Sequence, residues 1–114
     1  MYFQKFGVRN KYGARKTTVD GVVFDSQKEA NDYEVLRWRE KAGEIRDLKR
    51  QVPFVIVDKS EYGRALKYIA DFTYTDCETG EFVVADSKGG VKTDVYKLKK
   101  RLLAERYGLV IKEL

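Results

Sequence analysis

The sequence predicts an α/β domain with the order helix, strand, strand, strand, helix, strand and a mixed sheet flanked by helices. Three observations carry this expectation. Strand-like runs at 52–57, 66–75 and 81–88 follow one another with only short polar turns between them, the pattern of an antiparallel meander. Segments with helical start and stop signals lie before and after these runs. A last apolar run, Leu109 to Ile111, follows the second helix, and a helical crossover delivers a strand parallel to its neighbour.

The elements are read in chain order. Residues 1–16 are basic and without periodicity, a separate arm ahead of a single domain at 17–114. Thr17 to Val19 and Val22 to Phe24 flank Asp20-Gly21, a type I′ hairpin signal. A helix begins near Ser26, runs to about Ala42 and stops at Gly43. Asp58 to Gly63 and Asp76 to Gly80 are turns. Gly89-Gly90 breaks the chain after the third strand, Thr93 or Asp94 caps a second helix, and Gly108 stops it near Tyr107. Val95, Leu98 and Leu102 are expected to be that helix's inward stripe. Trp38, with Val35 and Ala42, forms a second apolar patch on the first helix. It is open to packing under the hairpin or to a contact between two copies.

Composition removes several function classes. A chain of 114 residues suits one domain, and 43% hydrophobic with 13% aromatic content suits a packed core rather than disorder. No apolar run approaches a membrane span, and no secretory signal opens the sequence. The lone Cys77 fits a reducing compartment, hence a cytoplasmic location. There is no histidine, which excludes Ser-His and Cys-His nucleophile pairs and histidine-ligated zinc. Any metal must be held by carboxylates and carbonyls, favouring Mg²⁺ or Mn²⁺. The net charge is +5. The excess is concentrated in the arm (Arg9, Lys11, Arg15, Lys16) and in 88–101 (Lys88, Lys92, Lys97, Lys99, Lys100, Arg101), the footprint of a polyanionic partner.

Two segments carry the chemistry. Ala70-Asp71-Phe72 and Ala85-Asp86-Ser87-Lys88 place acids where apolar strands would otherwise continue. Alternation puts Asp86 and Lys88 on one face, and Asp71 with Ile69 and Thr73. If the two strands pair, Asp71 and Asp86 lie side by side, and adjacent carboxylates call for a cation between them. Glu29 falls on the stripe of Tyr33 and Leu36 on the first helix and points toward the same region.

Glu29, Asp71, Asp86 and Lys88 match in order the helical acid, second-strand Asp and acid-x-Lys of the PD-(D/E)XK nuclease superfamily, which this sequence resembles. The likeness covers about Phe24 to Glu113 and implies a restriction-endonuclease-like core. More narrowly, the sequence resembles small phage-encoded, junction-resolvase-like endonucleases, in Phe24-Asp25-Ser26-Gln27-Lys28-Glu29-Ala30, Tyr68-Ile69-Ala70-Asp71-Phe72 and Lys92-Thr93-Asp94-Val95-Tyr96-Lys97. Ala70 departs from the usual proline, and Asp86 stands where Glu is often found. The resemblance implies metal-dependent hydrolysis of DNA phosphodiester bonds, with Asp71, Asp86, the Ser87 carbonyl and Glu29 binding Mg²⁺ or Mn²⁺ and Lys88 positioning the nucleophile. It also implies Lys97, Lys100 and Arg101 gripping DNA, a homodimer, and a bacterial host cytoplasm if the gene is phage-borne.

Plainer readings stand beside these. Ser26-x-x-Glu29 is also a capping box. Asp71 could pair with Lys67 or Arg64, and Asp86 with Lys88 could be a surface pair on an edge strand. Lys97, Lys100 and Arg101 could be a solvated helix face, Gln51 either a site contact or a cap, and Tyr33 core packing. An inactive nuclease-fold module that binds DNA or assembles with partners is the alternative to the enzyme.

Overall fold

Asp20 and Gly21 take φ of 53° and 77°, the double positive φ of a type I′ turn. They join β1 (Thr17–Val19) to β2 (Val22–Phe24) as an antiparallel hairpin. The structure, a computed structural model, describes residues 16–87 and 92–114. Arg9, Lys11 and Arg15 of the expected arm, and Lys88 with Gly89 and Gly90, lie outside the described residues; Lys16 is described and exposed.

Helix α1 (Gln27–Lys41) starts where the Ser26 hydroxyl accepts the Glu29 backbone N–H at 3.1 Å, and Gly43 closes it with φ 79°. Its buried side chains include Ala30, Tyr33 and Leu36, spaced to lie on one stripe. Helix α2 (Asp94–Tyr107) is capped by the Thr93 hydroxyl, which accepts from the Tyr96 N–H. It ends at left-handed Gly108, as expected for these residue types.

Four strands form the main sheet: β3 (Ile45–Val57), β4 (Leu66–Asp76), β5 (Phe82–Asp86) and β6 (Ile111–Glu113), in the order β3-β4-β5-β6. The first three pair antiparallel, and β6 joins β5 in parallel. The α/β class, the element order and the mixed sheet are those expected. No helix among the described residues is long and apolar enough to cross a membrane.

Three boundaries differ from expectation. Strand β3 begins at Ile45, well before Val52. Residues 46–51 are mostly polar, and what holds them in the sheet is pairing to β4, as in Lys49↔Thr73 and Arg50↔Phe72, with a bulge between Arg46 and Lys49. Strand β5 closes at Asp86, and β6 sits at 111–113 because Leu109 and Val110 carry the chain out of the Gly108 turn.

The larger correction is the rotation of α2. Tyr96 and Leu103 are its buried residues, whereas Val95 and Leu98 are 63% and 54% exposed. Tyr96 is drawn inward because its hydroxyl donates to Glu113 at 2.8 Å at the end of β6. Anchoring that aromatic turns the apolar positions 95 and 98 toward solvent, and no apolar pattern within the helix outweighs it.

Two cores result, one under each helix. Phe24, Tyr33, Leu36, Phe72 and Tyr74 pack on the α1 side, with the Tyr33 ring 5.0 Å from Phe24 and 6.4 Å from Phe72. Tyr33 is therefore core packing. Tyr68, Ala70, Val84, Tyr96, Leu103 and Ile111 pack on the α2 side. Trp38 lies beside Val19 and Asp20 of the hairpin but stays 69% exposed, so the hairpin does not cover it.

Candidate active site

A change of face along β4 builds the site. Tyr68 and Ala70 belong to the α2 core, while Phe72 and Tyr74 belong to the α1 core. Strict alternation would put all four on one face, so the strand changes face at Asp71. The facing position on β3 is Gln51, between the pairs Arg50↔Phe72 and Val52↔Ala70. Its φ is +52°, a left-handed conformation that a non-glycine residue adopts inside a strand only against a cost. Ile69 and Thr73, expected to share a face, differ accordingly: Ile69 is 53% exposed and Thr73 is 1% exposed.

Asp71 comes just before Phe72, whose pair with Ala85 is the end of the β4–β5 register nearest the cleft. One of its oxygens, Oδ2, accepts the Ser87 backbone N–H at 3.0 Å, and the other, Oδ1, lies 3.3 Å from the Gln51 side-chain nitrogen. It therefore bonds the chain just past Asp86 rather than Lys67 or Arg64. The same Gln51 nitrogen is 3.3 Å from Oε2 of Glu29, and an Arg50 guanidinium nitrogen is 3.8 Å from that oxygen. Glu29 thus supplies only its backbone N–H to the Ser26 cap; its carboxylate faces Gln51 and Arg50. Burial, and next the Asp71 charge, push the Glu29 carboxyl up to about 7, against the opposing pull of Arg50.

Asp86 is 5% exposed and its Oδ2 accepts the Tyr68 hydroxyl at 2.9 Å. Burial and the Asp86 charge push the Tyr68 hydroxyl far above its usual range, so it stays a proton donor. The Asp86 carbonyl accepts the Leu114 N–H at 2.9 Å, which ties the end of β5 to the end of the chain.

Glu29, Asp71, Asp86 and Ser87 line one cleft of about 480 Å³, walled by Lys67, Tyr68 and Ile69 of β4 and by Val95, Tyr96 and Lys99 of α2. The three acids expected together do line one cleft. They do not form a ready ligand cluster: among the described residues no three acids, histidines or cysteines gather closely enough to hold a metal ion. Glu29 and Asp71 meet through Gln51, while Asp86 is turned to Tyr68. Lys88 lies outside the described residues.

The donors nonetheless suit a hard divalent cation. They are all oxygens, and the Ser87 hydroxyl oxygen is buried with no hydrogen-bond partner among the described residues. Glu29 and Asp71 crowd two carboxylates into partly buried space, which a cation would relieve.

The expected DNA-gripping face is divided. Lys97 and Arg101 are exposed. Lys100 and Lys92 instead pair with Glu113 at 3.3 and 3.6 Å, which, with the Tyr96 hydroxyl as the larger cause, holds the Glu113 carboxyl below its usual range. Among the described residues the lysines at the cleft are Lys67, which the sequence offered only as a partner for Asp71, and Lys99, one of the basic run 88–101. The rotation of α2 places Lys99 there, and Lys67 enters from β4 beside Tyr68 and Ile69.

Fold and cleft define the class: an α/β domain with a carboxylate-floored, lysine-walled cleft where β4 changes face. The chain belongs to the family described as "Protein of unknown function (DUF1064)", whose model matches residues 9–113. No curated protein and no solved structure matches it.

Proposed function

We propose that the chain is a metal-dependent endonuclease that hydrolyses DNA phosphodiester bonds, acting on branched or recombination-junction DNA and derived from a phage. The observation that supports it is the meeting of Glu29, Asp71, Asp86 and Ser87 in one cleft with Lys67 and Lys99 on its walls. Acids alone would repel a phosphodiester; lysines on both walls offset that and attract it. Lys88, two residues beyond Asp86 in sequence, completes the acid-x-Lys pattern.

In this reading Glu29, Asp71 and the Ser87 carbonyl, with Asp86 beside them, hold Mg²⁺ or Mn²⁺. When bound, the cation lowers the pKa of water and neutralises charge on the phosphate. Tyr68 orients Asp86 through its hydroxyl. The Ser87 N–H holds one Asp71 oxygen, fixing the direction of the other. Lys67 and Lys99 hold the backbone on either side, and Lys88 positions the attacking water. A homodimer would supply the second cut on a duplex, and the bacterial cytoplasm is the matching compartment.

The test is cleavage of plasmid and four-way junction DNA with Mg²⁺ and with EDTA. Wild type should cut only with Mg²⁺, and Asp86→Ala and Lys88→Ala should fall to the EDTA background while keeping the wild-type circular dichroism spectrum. Full cutting by either variant would sink the proposal. One observation favours a second reading, an inactive nuclease-fold module that binds DNA: Glu29 and Asp71 already share an amide donor. DNA retention without cleavage under any divalent cation would select it.

A further inference from the structure

Gln51 combines two features that are unusual in one residue. Its backbone is left-handed at φ +52° in the interior of β3, where glycine would sit without cost. Its side-chain nitrogen lies 3.3 Å from Oε2 of Glu29 and 3.3 Å from Oδ1 of Asp71. Both neighbours are carboxylate oxygens, so the amide must turn its NH₂ group toward them. The backbone conformation aims the side chain at the gap between the two acids, and the two hydrogens of one NH₂ group serve one acid each.

We propose that Gln51 is a positioning residue that holds the place of the cation: its amide clasps Glu29 and Asp71 when no metal is bound, and a divalent cation must displace it. This inference rests on the metal-site reading above. The oxygens that Gln51 engages are the ones a cation would need, so amide and cation compete for the same lone pairs. The clasp has a separate benefit. It keeps two neighbouring acids, one of them buried, at a fixed separation without a cation, so the cleft is preformed. Arg50 cannot serve this way, because its guanidinium is 3.8 Å from Glu29 and stacks 4.3 Å over the Phe24 ring.

Gln51 is exposed beside two acids that line the cleft, so substitutions there leave the core intact. Gln51→Gly removes the amide and relieves the backbone together. Its melting temperature in EDTA should fall below wild type. In a Glu29→Ala/Asp71→Ala background the same change should raise it, because only the backbone relief remains. Calorimetric titration with MnCl₂ should give Gln51→Gly a tighter affinity, by about thirtyfold for two ordinary hydrogen bonds no longer displaced. A melting-temperature change of the same size in both backgrounds would overturn the clasp. Unchanged or weaker Mn²⁺ binding would overturn the competition. If the wild-type protein binds no Mn²⁺, the metal-site reading fails and takes the competition with it, while the melting temperatures still judge the clasp.

Discussion

The Tyr68 hydroxyl donates a 2.9 Å hydrogen bond to Oδ2 of Asp86, across from β4 to β5 and away from solvent. It links the α2 core, to which Tyr68 belongs, to an acid of the cleft. Tyr68→Phe keeps the ring and removes only the bond to a buried carboxylate. It should cost about 1–3 kcal/mol at neutral pH, measured by urea unfolding, with circular dichroism unchanged. No loss of stability would mean that Asp86 is not held by this bond.

Glu29 makes stability depend on pH in a defined direction. Its carboxyl is raised from 4.5 to about 7 in the fold. A raised acid binds its proton more tightly when folded, so its contribution is fullest below about pH 4.5 and is lost as pH rises to about 7. At 1.36 kcal/mol per unit the loss is at most about 3 kcal/mol. Glu29→Gln should therefore gain on wild type in EDTA between pH 5 and pH 8. Equal slopes for the two proteins in urea melts across that range would contradict the burial of this carboxyl.

The rotation of α2 separates two leucines that look alike in the sequence. Leu103 is fully buried and Leu98 is 54% exposed. Leu103→Ala should cost about 2–5 kcal/mol, and Leu98→Ala less than about 0.5 kcal/mol. Chemical denaturation midpoints decide; the reverse order would return Val95 and Leu98 to the inward stripe, of which Leu102 alone packs against the α2 core.

Lys99 and Lys100 should likewise part company. Lys99 lines the cleft, whereas Lys100 pairs with Glu113. On the DNA-binding reading, Lys99→Ala should weaken binding and lower the slope of log K against log salt by about one charge. Lys100→Ala should leave that slope unchanged and cost at most about 1 kcal/mol of stability. Fluorescence anisotropy on a labelled duplex and a labelled junction, over a range of NaCl, reads both.

Much of this protein is legible in its sequence, because the signals are local. Asp20-Gly21 demands its turn by backbone conformation, Ser26 and Thr93 cap helices with their own hydroxyls, and Gly43 and Gly108 end them. The order of β3, β4 and β5 followed from the short polar turns, whereas the place of β6 beside β5 did not. Spacing along the chain also singled out Glu29, Asp71 and Asp86, and the family resemblance added Ser87; the four line one cleft.

What tertiary structure alone decided is how those residues are turned. The early half of β3 is polar and is a strand only because β4 pairs with it. The facing of α2 is set by Tyr96 reaching Glu113, a contact between segments joined only through the fold. The change of face at Asp71 pairs a strained Gln51 with two acids and turns Asp86 to Tyr68. Caps and turns depend on a few adjacent residues and are written in the sequence. The rotation of a helix and the direction of a carboxylate depend on partners far along the chain, and they are settled only when the sheet assembles.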